Sequence, residues 1–140
     1  MNAAFFLTPK SDVAYLYSDC SIRQGLERMK RSGYTAIPVL SREGTYLGMI
    51  REGDFLWYLT DQAYDASIRD LENVRITEIM KPGAAAEPIT VSIEKIIERA
   101  VDQNFVPLVD DNGRFIGIVT RGRVMKYLTG AIAKNVFTTC

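Results

Sequence analysis

The sequence predicts a mixed α/β fold, of the α+β type, built from two copies of one β-α-β-β-α unit. The first observation is an internal repeat: "GYTAIPVLSREGTYLGMI", residues 33–50, is followed by "NFVPLVDDNGRFIGIV", residues 104–119. Three pairs of identical residues in the two copies lie 69 positions apart: Pro38 and Pro107, Gly44 and Gly113, Gly48 and Gly117. The second observation is that each copy has two short apolar stretches joined by a polar turn that ends in glycine, which is typical of a β-hairpin. A repeated supersecondary unit determines the architecture of the chain, so we expect two such units related by a pseudo-twofold axis.

The first unit, residues 8–60, contains a clear helix signal between its first two strands. "VAYL", residues 13–16, is a short strand candidate, and a helix is predicted to begin after Ser21. Ser21 and Gln24 have the spacing of a capping box. Gly33 stands where the last helical residue gives way to a backbone with positive φ. The hairpin follows, and "GDFLWYL" predicts a second helix.

The second unit, residues 89–129, repeats this order. "PITV", residues 88–91, predicts a strand, Ser92 can cap the next helix, and "GRVMKYL" predicts the closing helix after the hairpin. Its first helix reaches the proline two residues sooner than in the first unit, which places a local deletion there. Residues 61–88 are interpreted as a helical linker and a surface crossover loop, and the tail at 130–140 carries no clear pattern.

Pro38 and Pro107 interrupt equivalent strands. Proline has no N–H to donate to a ladder, so it belongs on an edge strand or at a break. We expect equivalent strand breaks at these positions. They could be two simple edge strands, or they could leave backbone groups free to bond a ligand.

The composition argues against an enzyme. The chain has 140 residues and no histidine, which excludes histidine-dependent nucleophiles and histidine zinc sites. The nearest acidic pairs are Glu52 with Asp54 and Asp110 with Asp111, and their positions fit a helix start and a hairpin turn. Carboxylate-only or lysine chemistry stays open in principle, but the sequence shows no nucleophile–base pair, metal cluster or Walker loop, and we predict no catalytic residue, no metal site and no cofactor.

Charge and hydropathy indicate a cytoplasmic protein. Seventeen basic and seventeen acidic residues cancel, so no global field favours nucleic acid or an anionic membrane. No apolar run approaches the roughly 20 residues that span a bilayer, and the N-terminus does not resemble a secretory signal. Cys20 and Cys140 are far apart and lack metal-ligand spacing, which fits a reducing compartment.

These motifs resemble a known family. The first repeat contains "GYTAIPVL" with "YLGMI", and the second contains "FVPLV" with "GRFIGIVTR" and is preceded by "ITEIM". This arrangement is similar to a tandem pair of CBS domains, the Bateman module, over about residues 8–129. "GYTAIPVL" with "GIVTR" further resembles the small stand-alone CBS proteins of Gram-positive bacteria that bind cyclic di-AMP, the CbpB type. The resemblance implies a regulatory ligand-binding module without chemistry of its own.

The resemblance also implies where a nucleotide base would lie. In the family, the strand at the Gly-x-x-x-x-Pro element supplies apolar walls and backbone hydrogen bonds to adenine. In this sequence that strand offers Tyr34, Thr35, Ala36 and Ile37, with Ala14 from the preceding strand facing them. Tyr34 could stack on a base, or it could be an ordinary half-exposed aromatic residue.

The phosphate and ribose motif is divided between the two units. Adenine-nucleotide CBS domains tend to carry Gly-h-x-Thr/Ser-x-x-Asp; "GMIREGD" keeps Asp54, and "GIVTRGR" keeps Thr120. Thr120, Arg121 and Arg123 at a helix N-terminus are expected to form an anion cradle, unless the two arginines are solvated surface charges. Asp12 and Gly122 stand where the cyclic di-AMP-binding proteins usually place positive charge, and Lys10 and Arg123 could substitute.

Two functions remain open at this stage. The leading hypothesis is a nucleotide sensor that binds cyclic di-AMP or another adenine nucleotide, such as AMP or ATP, and signals to a protein partner. The resemblance further implies a homodimer, with Phe55, Trp57 and Tyr58 as exposed interface residues. The alternative is a ligand-free interaction and dimerisation module with degenerate sites.

Overall fold

The computed structural model describes residues 3–61, 68–81 and 85–139. Within them the helices are α1 (Ile22–Ser32), α2 (Glu52–Asp61), α3 (Ile68–Asn73), α4 (Ile93–Ala100) and α5 (Arg121–Thr139). The strands are β1 (Thr8–Pro9), β2 (Leu16–Tyr17), β3 (Ala36–Leu40), β4 (Tyr46–Arg51), β5 (Glu87–Pro88), β6 (Phe105–Val109) and β7 (Phe115–Thr120). Short 3-10 segments cover Ala3–Phe6, Lys10–Asp12 and Ile76–Glu78.

The strands form two sheets with the same internal pattern. One sheet has the order β2-β3-β4 and the other the order β1-β7-β6-β5. In each, a two-residue strand runs parallel to the first hairpin strand, β2 beside β3 and β5 beside β6, and the hairpin strands are antiparallel. The predicted mixed fold with two β-α-β-β-α units is confirmed.

The two sheets face each other, with helices on their outer sides. In β3, Ala36 and Leu40 belong to a central apolar cluster that also contains Phe105, Phe115 and Ile118 of the other sheet. Ile37 and Val39 of the same strand point to the opposite side and pack with residues of α1 and α2. Because successive side chains of a strand alternate between faces, β3 is buried on both sides.

Each half is completed by a segment from the other part of the chain. Ala3 and Phe6 are buried among residues of α4, β6 and β7 in the second half, and β1 pairs with β7. Ile76, from the stretch we predicted to be a linker, is buried among residues of α1, β3 and α2 in the first half. The pairing of β1 was not predicted, because it joins residues more than a hundred positions apart.

The helix signals in the sequence are realised in the structure. Ser21 accepts the N–H of Gln24 at 3.1 Å, and Gln24 accepts the N–H of Ser21 at 2.9 Å, so the predicted capping box is present. Gly33 has φ 76° at the end of α1, as predicted. Ser92 accepts the N–H of Lys95 at the start of α4.

The positions of the two prolines contradict the prediction that they lie on edge strands or at strand breaks. Pro38 and Pro107 occupy equivalent places, but each lies inside an unbroken strand in the middle of its sheet. Thr35, just before β3, accepts the N–H of Glu52 on the β4 side, and Leu40 accepts the N–H of Ser18 on the β2 side. Backbone groups alternate along a strand, so the nitrogen of Pro38 faces β2. Since β2 begins opposite Val39, that nitrogen needs no partner.

The same proline limits the strand beside it. We predicted a strand over residues 13–16, and the structure has one at Leu16–Tyr17. A ladder extended back to Val13 would need an N–H from Pro38, which proline lacks. In the second half, the strand predicted at 88–91 is Glu87–Pro88, beside Leu108 and Val109.

Two further differences concern the helices. Phe55, which we predicted to be exposed, is 2% exposed and packs in the core of the first half, while Trp57 is 56% exposed. The closing helix α5 extends through the tail to Thr139. Across the described residues, no helix has the length and apolarity needed to cross a bilayer.

Candidate functional site

The first cleft lies between the two sheets, at the ends of β3 and β7. Its free volume is about 480 Å³ when the open solvent at its mouth is included. Its walls are largely apolar. The first cleft is lined by Val13, Ala14, Tyr34, Thr35, Ala36, Pro38, Asn104, Phe105, Ile118 and Thr120.

An open strand edge forms part of this cleft. By the alternation described for β3, Ala36 and Pro38 direct their backbone groups towards β2, which pairs only from Val39 onwards. The N–H and C=O of Ala36 therefore face the space that β2 does not fill. A flat heterocycle placed there could receive one hydrogen bond and donate another.

Five of the residues predicted for a ligand site come together in the first cleft: Ala14, Tyr34, Thr35, Ala36 and Thr120. Tyr34 is half exposed at its rim. Ile37, which we grouped with them, is fully buried on the other face of β3 and does not line the cleft. The pleat is the reason, since successive side chains within β3, such as Ala36 and Ile37, point to opposite faces.

Thr120 and Asp54 both cap helices. The Oγ1 of Thr120 accepts the N–H of Arg123 at 3.2 Å at the start of α5. The carboxylate of Asp54, which is 6% exposed, accepts the N–H of Arg51 at 2.9 Å at the start of α2. Each unit thus keeps one half of a capping box, the N-cap hydroxyl in one and the N3 carboxylate in the other. Asp54 lines neither cleft.

The two arginines of the expected anion cradle are placed differently from that expectation. Arg121 directs its guanidinium to the end of α4, where Nε donates to the carbonyl of Ala100 at 2.8 Å and Nη2 to that of Val101 at 3.4 Å. Arg123 is exposed on α5. Neither is among the residues that line the first cleft.

A second cleft lies at the position related to the first by the pseudo-twofold. It is smaller, about 380 Å³, and more polar. The second cleft is lined by Thr35, Ala36, Met49, Arg51, Asp102, Gln103 and Asn104. Thr35, Ala36 and Asn104 line both clefts, so the two spaces share one wall.

Sequence reasoning missed part of the first cleft. Asn104, Phe105 and Ile118 come from the second unit. The repeat itself carried the signal, because Asn104 is 69 positions after Thr35 and Phe105 is 69 positions after Ala36. A site between two pseudo-symmetric units is lined by the equivalent strands of both units, and the predicted site included this strand only from the first unit.

Charge is distributed unevenly around the clefts. Among the described residues lining the first cleft, none carries a formal charge. Arg51 lies in the second cleft near Tyr46. Burial raises the pKa of the Tyr46 phenol, and the positive charge of Arg51 partly opposes that increase.

Comparison with known proteins agrees with the repeat. The model of the CBS domain family matches residues 6–61 and 76–130. An uncharacterized protein of Methanocaldococcus jannaschii is 34% identical over 127 residues, covering 81% of this chain and 45% of its own length. The homoserine O-acetyltransferase of Methanococcus vannielii is 27% identical, covering 81% of this chain and 22% of its own length. The chain therefore spans less than half the length of these two relatives.

Solved structures share the fold over nearly the whole chain. CbpB in complex with c-di-AMP superposes with a TM-score of 0.87 at 20% identity, covering 99% of this chain and 91% of that one. CbpB of Listeria monocytogenes, also in complex with c-di-AMP, superposes with a TM-score of 0.82 at 25% identity, covering 93% of this chain and 96% of that one. CBSX2 in complex with AMP superposes with a TM-score of 0.69 at 22% identity, covering 93% of this chain and 97% of that one. With two matched repeats, two equivalent sheets and a cleft between them, this chain belongs to the CBS domain family and forms a tandem CBS pair.

Proposed function

We propose that the protein is a non-enzymatic regulatory sensor that binds cyclic di-AMP or another adenine nucleotide in the first cleft. The observation that carries this proposal is the apolar cleft beside the open edge of β3. A purine base needs flat apolar contact together with a few fixed hydrogen bonds. Ala14 and Ile118 offer the apolar contact, and the backbone of Ala36 offers the hydrogen bonds.

Tyr34 and Thr120 add to this arrangement. Tyr34, half exposed at the rim, can stack on a base that enters the cleft. Thr120 uses its oxygen as an acceptor for the N–H of Arg123, which leaves its hydroxyl proton available. That proton can be donated to a ribose or phosphate oxygen.

Two solved relatives favour this class of ligand. The CbpB structures are complexes with c-di-AMP, and the CBSX2 structure is a complex with AMP. We place cyclic di-AMP ahead of AMP and ATP, because the CbpB structures superpose more closely. A sensor of this kind signals through a protein partner, and we propose that this chain does the same.

We also propose that the protein forms a homodimer through the closing helices of its two repeats, α2 and α5. Leu56 and Trp57 of α2 are exposed, as is Met125, the residue of α5 equivalent to Leu56. Exposed aromatic and aliphatic groups on these two helices suit an interface core. Light scattering at micromolar concentration should give twice the 15.7 kDa of one chain, and Trp57→Glu should give the monomer mass.

Calorimetry on the wild-type protein tests the proposed function. Cyclic di-AMP, AMP and ATP should be compared with their guanine counterparts as a matched control. A ligand at 100 times its Kd adds about 2.7 kcal/mol of stability, so a thermal shift of roughly 5 to 10 °C should accompany binding. No heat and no thermal shift with any nucleotide would instead support the ligand-free interaction module.

A further inference from the structure

We propose that Arg51, in the second cleft, supplies the positive charge that holds the phosphate of a nucleotide whose base lies in the first cleft. This inference rests on the proposed function and names the residue that gives it anion specificity. The starting point is the charge distribution: of the described residues that line the two clefts, Arg51 alone is cationic. A phosphate beside the first cleft has no other cation lining the site.

The sheet register places Arg51 beside the proposed base site. Ala36 of β3 lies directly opposite Arg51 of β4. Thr35 accepts the N–H of Glu52, which makes the neighbouring Ala36–Arg51 pair a non-hydrogen-bonded one. In such pairs the side chains share a face, with Cβ atoms about 4.5–5.5 Å apart. Ala36 lines both clefts, and its single methyl group leaves room for the arginine to extend across it.

The guanidinium of Arg51 is available, in contrast with that of Arg121. Among the described residues, the side chain of Arg51 makes no hydrogen bond and no ion pair, although its backbone N–H is bonded to Asp54. Arg121 is already bonded to two carbonyls at the end of α4. A half-buried arginine without a partner is a ready donor for a phosphate, which it can bind in bidentate fashion.

One other charge faces the same space. Asp102 also lines the second cleft, but its carboxylate is exposed and forms no ion pair with Arg51. Solvent therefore screens the repulsion between Asp102 and a phosphate more effectively than it screens the attraction between a phosphate and the half-buried Arg51. The shared wall of Thr35 and Asn104 can bond the ribose or phosphodiester oxygens that pass between the clefts. The ligand is thus an adenine nucleotide with a phosphate close to the nucleoside.

Calorimetry with cyclic di-AMP and AMP at low and high salt tests the role of Arg51. Arg51→Gln should weaken binding about 10-fold or more, because it removes a charge-assisted hydrogen bond. It should also reduce the loss of affinity that added salt causes in the wild type. Arg51→Lys, which keeps the charge without the bidentate geometry, should lie between the two. Arg123→Gln is the matched control and should bind as the wild type does.

The outcomes separate this inference from the function on which it rests. If the wild type binds and Arg51→Gln binds within twofold of it, the role of Arg51 is overturned and the proposed function stands. A weaker Arg51→Gln with unchanged salt dependence would mean that the arginine only shapes the cleft, which also overturns the inference. If the wild type binds no nucleotide, both proposals are wrong.

Discussion

The two CBS repeats end their first helices in different ways. In the first repeat, α1 has 11 residues and ends at Gly33 with φ 76°, whose N–H donates to the carbonyl of Met29. In the second, α4 has 8 residues and is followed by Val101 in a right-handed helical conformation. Arg121 donates to the last carbonyls there, and Asp102 stands where the first repeat has Gly33. An arginine that the sequence suggests as an anion ligand can therefore have its guanidinium hydrogen-bonded to the carbonyls at a helix end.

The two clefts also differ in the residues that stand at equivalent positions of the two repeats. Tyr34 and Thr120 of the first cleft correspond to Gln103 and Arg51 of the second, each pair 69 positions apart. The first cleft is apolar and uncharged, whereas the second is polar and is lined by both Arg51 and Asp102. Pseudo-symmetry of the backbone thus does not produce two equal sites, and substitutions at equivalent positions can test how far the difference extends.

The largest difference is expected at two equivalent glycines beside the exchanged segments. A Cβ at Gly117 would lie 2.2 Å from the carbonyl oxygen of Thr8, whereas a Cβ at Gly48 would lie 3.2 Å from the flexible Cε of Met80. Both positions have positive φ, so the conformational cost is shared. Gly117→Ala should lose about 3 kcal/mol or more of unfolding free energy and Gly48→Ala about 1 kcal/mol, measured by urea denaturation. Equal losses would show that β1 does not constrain β7.

A second comparison concerns Arg121 and its equivalent, Glu52. Arg121→Ala should lower the unfolding free energy by about 2 kcal/mol, because two carbonyls at the end of α4 lose a charged donor. Glu52→Ala should change it by about 0.5 kcal/mol or less. Nucleotide affinity should change little in Arg121→Ala, since the guanidinium does not line the cleft. If Arg121→Ala instead lost nucleotide affinity and kept its unfolding free energy, Arg121 would be an anion ligand, as the sequence predicted.

The smallest effect is expected from completing a capping box. Thr120 supplies the N-cap hydroxyl of α5, and Arg123 stands at the position where the first repeat has Asp54. Arg123→Asp should stabilise the protein by about 0.5–1 kcal/mol, through a bond to the N–H of Thr120 and a favourable charge at the helix start. Thermal denaturation of this variant beside Arg123→Asn, which lacks the charge, would separate the two contributions. A variant no more stable than the wild type would show that α5 gains nothing from the second half of the box.

Local signals made much of the fold predictable. The capping box at Ser21 and the positive φ at Gly33 depend on neighbouring residues, and both are present. The pairing of β1 with β7 and the burial of Phe55 depend on distant parts of the chain, and neither was predicted correctly. In "FLWYL" all five consecutive residues are apolar or aromatic, so the pattern could not indicate which side of α2 faces the core.

The candidate site was predictable where the repeat motif names the strand. Tyr34, Thr35 and Ala36 follow from the Gly-x-x-x-x-Pro element, and they line the first cleft. Arg51 and Arg121 could not be distinguished from sequence, because both precede or begin a helix after a hairpin. Only the structure shows that the guanidinium of Arg121 is bonded at the end of α4, while that of Arg51 has no hydrogen bond or ion pair among the described residues.

The most direct test of the account compares Tyr34 with its equivalent, Gln103, in calorimetric titrations with cyclic di-AMP. If the base lies in the first cleft, Tyr34→Ala should weaken binding about 5- to 150-fold, since stacking of a base on an aromatic ring contributes about 1–3 kcal/mol. Gln103→Ala, in the second cleft, should bind within about threefold of the wild type. A Tyr34→Ala variant that binds as tightly as the wild type, or a larger loss in Gln103→Ala, would contradict the assignment of the first cleft as the base site.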